Sequence, residues 1–351
     1  MVRVLVAEDS PTTRELLVSM LGTDPSIVVV GQARDGVEAV EQTLRLRPDL
    51  VTMDIHMPRL DGFEATKQIM VEAPTPIIII SAVVNPDDVV ASMEALRAGA
   101  VTVLAKPPNP FSPEFDDACR SLTSTVKALS QVTLVRRRPG PTLHPALHPT
   151  PAPPAVATTQ QRTPRVLAIG ASTGGPNALG QVLGALPADF PAPVLVVQHM
   201  TIGFLEGFAQ WLDRGCALDV RLARHGERLA PRTVYVAPED HHLGVSASGH
   251  VVLSDDDRIN GFRPSVSYTF DSAARAFGAA TVAVILTGMG SDGVSGLRTV
   301  RERGGRVIAQ DEETSVVFGM PGSAVAAGVV DDVLPLPGVG AVVRGLFGKA
   351  N

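Results

Sequence analysis

From its second residue the chain alternates short runs of apolar, often β-branched residues with longer stretches whose apolar positions recur every three or four residues. The runs 3–7, 27–33, 50–54, 76–81 and 102–105 read as strands, and 37–46, 63–71 and 89–98 between them read as helices. Near-continuously apolar strands alternating with helices predict a parallel sheet covered on both faces. The rhythm stops near residue 133 and resumes at Arg165, with 166–170, 194–198, 218–222, 282–286 and 306–309 as strands. Residues 225–262 alternate short strands and turns and read as a hairpin excursion off the main sheet. Between the two halves, residues 139–164 hold eight prolines, the composition of a stiff extended tether rather than a packed element. The expected architecture is therefore α/β, with two doubly wound parallel-sheet domains joined by a Pro-rich linker: a five-stranded one at 1–130, the linker at 131–164, and a larger Rossmann-like one at 165–351.

Composition narrows the class. A chain of 351 residues with 45% hydrophobic and 19% charged side chains suits two ordinary domains, each large enough for its own core. The net charge of −6 argues against a nucleic-acid partner. Residues 1–130 carry 11 basic and 18 acidic side chains, 165–351 carry 15 and 18, and the tether is +4, mostly from Arg136, Arg137 and Arg138. Cys119 and Cys216 fall in different halves with no metal-ligand spacing, which reads as reduced thiols. The opening MVRVLVAEDS does not fit a secretion signal, and no apolar run approaches the ~18 residues of a membrane span. A cytoplasmic monomer without direct membrane insertion is expected.

The first candidate chemistry gathers where the N-terminal strands end. Glu8 and Asp9 follow the first strand, Asp54 ends the third, Ser81 ends the fourth and Lys106 follows the fifth. In a parallel sheet these positions meet at one edge. Three carboxylates crowded together repel unless a cation joins them, and a hard divalent ion such as Mg2+ prefers such oxygen ligands. Asp54 then becomes a nucleophile toward a phosphoryl group, with Ser81 and Lys106 against its oxygens.

The second candidate site lies past the tether. Strand 166–170 runs into Gly170-Ala171-Ser172-Thr173-Gly174-Gly175-Pro176, a tight strand-to-helix turn that satisfies the nucleophile-elbow pattern G-x-S-x-G. A phosphate-binding glycine loop is the competing reading, but the dinucleotide spacing and the P-loop lysine are both missing. His199 ends the next strand, and Asp292 closes the glycine-dense Thr287-Gly288-Met289-Gly290-Ser291-Asp292-Gly293. Each alone reads as a core histidine or a capping aspartate. Three such groups, each just past a separate parallel strand, read as a hydrolase triad in the order Ser…His…Asp, unlike the α/β-hydrolase order. His241 and His242 are a rival source of a general base, though neighbours on an extended chain point in opposite directions and do not chelate together.

Residues 1–125 resemble a response-regulator receiver domain, on Glu8-Asp9-Ser10, the Asp54 of MDIHMP, Ser81 and Lys106-Pro107. The resemblance implies Asp54 as phosphoacceptor, Mg2+ on Asp9, Asp54 and the His56 carbonyl with Glu8 beside them, and a cis bond before Pro107. Three residues before the lysine, where many receivers have an aromatic switch, stands Val103. GASTGGP, VVQHM and LTGMGSDG resemble the active-site segments of the protein-glutamate methylesterases of bacterial chemotaxis, the CheB family. That resemblance implies Ser172 as nucleophile, His199 as base and acid, Asp292 as its orienting group, the Met289 N–H as oxyanion donor, and 262–266 along the substrate approach. It implies demethylation of glutamate methyl esters on methylated chemoreceptors with release of methanol, deamidation of receptor glutamines by the same acyl chemistry, no cofactor for that step, and phosphorylation of Asp54 by the histidine kinase of the chemotaxis pathway. The unphosphorylated receiver is expected to block Ser172. A phosphorylation-controlled binding module, or an esterase in another sensory pathway, remain the alternatives.

Overall fold

The computed structural model describes residues 1–82, 86–130 and 165–348. The Pro-rich linker expected at 131–164 lies outside the described residues. In chain order the N-terminal elements are β1 (Val2–Ala7), α1 (Pro11–Leu21), β2 (Ile27–Ala33), α2 (Gly36–Leu46), β3 (Leu50–Asp54), α3 (Gly62–Glu72), β4 (Ile77–Ser81), α4 (Pro86–Ala98), β5 (Thr102–Ala105) and α5 (Phe115–Leu129). Their five strands form one parallel sheet in the order β2-β1-β3-β4-β5.

Helices begin where side chains can take over the backbone N–H groups that a first turn leaves unpaired. Ser10 caps α1 through Thr13 N, Asp35 caps α2 through Glu38 N, and Asp61 caps α3 through Glu64 N. β3 and β4 are buried at every position. The four isoleucines Ile77 to Ile80 are at most 1% exposed, each contributing on the order of 2 kcal/mol of burial.

The C-terminal elements are β6 (Val166–Ala171), α6 (Gly175–Gly184), β7 (Val194–Gln198), α7 (Leu205–Gly215), β8 (Asp219–Leu222), β9 (Thr233–Val236), β10 (His242–Val245), β11 (Val251–Ser254), α8 (Val266–Phe277), β12 (Thr281–Ile285), α9 (Val294–Glu302), β13 (Arg306–Gln310), α10 (Met320–Ala326), β14 (Asp332–Leu334) and α11 (Leu336–Phe347). Seven of these strands form a parallel sheet in the order β14-β13-β12-β6-β7-β9-β8. The predicted excursion at 225–262 is only partly one. β10 and β11 form a separate antiparallel pair, but Thr233–Val236 inserts into the main sheet between β7 and β8. Four fully buried residues there have no polar face to mark a surface hairpin.

The two units pack together. Asn177 Nδ2 on α6 donates to Leu96 O on α4 at 3.0 Å, and α4 lies against α7, where Val89 fills the space beside Gly207. Val316 and Val317 of the C-terminal unit pack against the N-terminal core that contains Val4, Ile80 and Leu122.

Candidate functional site

At the N-terminal sheet edge the structure brings the expected residues together. Ligand oxygens of Glu8, Asp9 and Asp54 lie within 4.8 Å of one another. Lys106 Nζ stands 3.0 Å from Glu8 Oε1 and 2.9 Å from Asp54 Oδ2. Lys106 N donates to Ser81 O at 2.9 Å, which holds the lysine strand-end beside the buried Ser81. Burial pushes the Glu8 carboxyl up, the Asp54 charge pushes it further, and Lys106 only partly offsets them, leaving it at about 7. Burial opposes the Lys106 ammonium, but its bonds and charge interactions with Asp54 and Glu8 outweigh that and hold its pKa above the usual value. Glu8 Oε2 is buried with no hydrogen-bond partner among the described residues. An orphaned carboxylate oxygen within an all-oxygen donor set fits a hard divalent cation such as Mg2+. His56 is exposed, two residues past Asp54. The Lys106–Pro107 bond, expected to be cis, is not among the cis bonds; among the described residues that is Arg263–Pro264 alone. Trans is the favoured form of an X–Pro bond by about 0.5–1 kcal/mol, and Lys106 reaches both carboxylates without the cis form.

On the larger sheet, β6 is central, with β12 on one side and β7 on the other, so the strand order reverses here and a crevice opens beyond the strand ends. Ala171 pairs with Gln198, which places Ser172 and His199 next to each other one residue beyond. Ser172 N donates to Thr287 O at 3.0 Å, tying the turn to the loop after β12. Two glycines make this close approach possible. Gly174, at φ +77°, has Val316 where a side chain would stand, and a Cβ on Gly288 would come within 2.7 Å of Ser172 Cβ. Met289 follows and lines the same cleft as Ser172 and His199.

Asp292 Oδ2 lies 3.0 Å from His199 Nε2. The carboxylate also accepts from Ser265 Oγ at 2.9 Å, Val266 N at 2.7 Å, Ser267 N at 3.1 Å and Gly293 N at 2.8 Å. Burial pushes its pKa up, but the His199 bond and charge and the two α8 N–H groups outweigh that and bring it down to about 2. Asp292 is therefore a permanent anion. His199 Nδ1 is buried without a partner among the described residues, so the bond from the Ser172 hydroxyl to the imidazole is not formed in this state. An imidazole with one nitrogen held by a carboxylate and the other free can act as a base toward a neighbouring hydroxyl.

Residues 262–266 were expected along the substrate approach, but three contacts at the site were not legible. Phe262 stacks on the His199 ring with centroids 4.0 Å apart and planes 4° from parallel. Gln198 Nε2 donates to Ser172 O at 2.8 Å and His199 O at 2.7 Å, locking both turns to one amide. Ser265 gives Asp292 a hydroxyl. Of these, the Gln198-His199 pair was a visible signal, because a buried amide at a strand end must find partners.

The cleft of about 310 Å³ around Ser172 and His199 is walled on its other side by Thr102, Val103, Leu104, Ser121 and Thr125 of β5 and α5. One sheet edge thus offers a cation-ready carboxylate pocket and the other a serine, histidine and aspartate, with the first unit standing over the second: a hydrolase coupled to a phosphorylation-type module. The comparisons agree. A sequence model of the CheB methylesterase family matches residues 167–343, and one of the response regulator receiver domain matches 4–112. The chain is 54% identical to a "Protein-glutamate methylesterase/protein-glutamine glutaminase 4" of Myxococcus xanthus over 98% of this chain and 97% of that protein. It is 52% identical to a protein-glutamate methylesterase/protein-glutamine glutaminase of Anaeromyxobacter dehalogenans over 95% of this chain and 96% of the relative. The solved CheB methylesterase catalytic domain of Thermotoga maritima superimposes with a TM-score of 0.51 at 45% identity, covering 54% of this chain and all of that one. The chain belongs to the CheB methylesterase family.

Proposed function

We propose that the protein hydrolyses glutamate methyl esters on methylated chemoreceptors, releasing methanol, and deamidates receptor glutamines through the same acyl-enzyme. Its division into a receiver at 1–130, a linker at 131–164 and a catalytic domain at 165–351 follows from the same reading. The observation that carries it is the His199–Asp292 bond beside Ser172 at the switch point of the larger sheet. His199 Nδ1 takes the Ser172 proton as Oγ attacks the ester carbonyl, and the Met289 N–H stabilises the developing oxyanion. His199 returns the proton to the methoxide oxygen, the C–O bond breaks, and methanol leaves. Water, deprotonated by His199, then attacks the Ser172 acyl group and frees glutamate.

Control comes from the N-terminal pocket. Asp54 accepts a phosphoryl group from the histidine kinase of the chemotaxis pathway, and Lys106 and Ser81 meet its oxygens. Glu8, Asp9, Asp54 and the His56 carbonyl would hold Mg2+, which would supply positive charge against the transferred group. The esterase step takes no cofactor. The β5 and α5 wall over the serine cleft supports blocking by the unphosphorylated receiver, relieved on phosphorylation. Among the described residues no helix is long and apolar enough to cross a membrane. We read the protein as a cytoplasmic monomer that meets receptors at their cytoplasmic segments.

The test is methanol release from methylated receptor membranes, with and without a small phosphodonor and Mg2+. Release should rise with the phosphodonor and fall at least about 10⁴-fold in Ser172→Ala. Release that survives the loss of Ser172 would sink the mechanism, and release indifferent to the phosphodonor would remove the switch.

A further inference from the structure

The catalytic unit holds a buried histidine that takes no proton in this reaction. His242 opens β10, is fully buried, and its ring stacks on Tyr268 of α8 with centroids 4.6 Å apart. Its Nε2 lies 3.1 Å from the Asp257 carbonyl oxygen, which can only accept, so Nε2 carries the proton. Nδ1 is then an acceptor, and the Ser265 N–H reaches it at 3.2 Å. The neutral Nε2–H tautomer alone satisfies both bonds.

Ser265 is where this matters. It caps α8 through Tyr268 N, its hydroxyl bonds Asp292, and the two N–H groups after it bond both Asp292 oxygens. Asp292 in turn holds His199. A contiguous chain of bonds therefore runs from the Asp257 carbonyl through His242, Ser265 and Asp292 to the base. His242 and Ser265 are fully buried, so without Nδ1 the Ser265 N–H would be a donor cut off from water. Its simplest relief is a shift of the first turn of α8, which carries Asp292 and the imidazole plane with it.

We infer that His242 is a positioning residue for the hydrolysis: by accepting the Ser265 N–H it fixes the α8 N-terminus against Asp292 and so aims His199. The inference rests on the triad reading above. His242 touches no substrate and moves no proton.

Leucine and asparagine branch alike, but only asparagine carries an amide. His242→Asn keeps an acceptor, Oδ1, where Nδ1 stood, and His242→Leu does not, while both lose the stack on Tyr268. In the full-length protein with phosphodonor and Mg2+, His242→Leu should lower kcat for methanol release at least about tenfold with KM nearly unchanged. His242→Asn should recover most of the loss. The downfield proton of the His199–Asp292 bond should stay sharp in the asparagine variant and broaden by exchange in the leucine variant. Equal rates in the two variants, high or low, would assign His242 to ring packing and overturn the inference. Should the leucine variant fail to fold, the imidazole nitrogen shifts of the wild type decide, since a protonated Nδ1 on His242 contradicts the mechanism. Wild-type protein that releases no methanol would instead sink the esterase reading, and the tautomer would remain measurable.

Discussion

Glu8 and Asp292 are both buried carboxylates beyond parallel strands, and they titrate in opposite directions. Desolvation pushes both up, yet Glu8 ends at about 7 and Asp292 at about 2. The difference is what faces them. Asp292 accepts from a hydroxyl, three backbone N–H groups and the His199 ring. Glu8 receives Lys106 and Ser10 N through Oε1 alone, with Asp54 adding like charge. Burial raises both carboxyls, and the charges and donors aimed at each decide where it ends. One site is a fixed anion that steadies a base, and the other is a pocket whose charge depends on what enters it.

The sharpest way to break that comparison is Asp292→Asn. We expect kcat to fall about 10³- to 10⁴-fold, because the amide no longer holds the imidazole in its working tautomer. Stability should respond as well. A carboxyl whose pKa is depressed on folding contributes stability above its ordinary value near 3.8, and that contribution is lost as pH falls through about 2. Denaturant titrations should therefore show wild type ahead by on the order of 2 kcal/mol above pH 4, the gap closing toward pH 2. A gap that is flat with pH would mean the donors do not act through charge.

Next in size, Asp54→Asn should remove the whole phosphodonor-dependent increment in methanol release; continued stimulation would place the acceptor elsewhere. Glu8→Gln sharpens the other arm. Replacing one of three clustered carboxylates should raise the Mg2+ concentration needed for half-maximal stimulation several-fold, read from titrations with a fixed phosphodonor. The smallest effect concerns the contact between the units. A Cβ on Gly207 would come within 2.1 Å of Val89 Cγ1, so Gly207→Ala should loosen α4 from α7 and raise the unphosphorylated rate a few-fold. An unchanged rate, with the fold intact by circular dichroism, would argue that this contact does not help cover the cleft.

Much of this was visible along the chain. Strands 27–33, 50–54, 102–105 and 194–198 run where the apolar runs predict, and 50–54 and 194–198 are buried at every position, which leaves little choice of pattern. Ser172, His199 and Asp292 were found because each ends or follows such a strand, and parallel sheets gather those ends. Phe262, Ser265 and His242 were not legible as a unit. His242 and Phe262 come from an excursion whose short strands carry no strong period, Ser265 follows it, and their partners lie between 23 and 63 residues away. The place of Thr233–Val236 was missed for a related reason: the run is short, and its pairing with 194–196 and 219–222 is set by distant residues.

Local order therefore determined the elements, the two sheets and the residue types at their edges, since periodicity, caps and glycine turns act within a few residues. Which carboxylate is a fixed anion and which can titrate was decided in three dimensions, because donor number and desolvation depend on atoms brought from distant strands. So was the wall that β5 and α5 raise over Ser172. No pattern in either half specifies the other, and only packing across the tether brings Val103 and Leu104 to the cleft that holds His199.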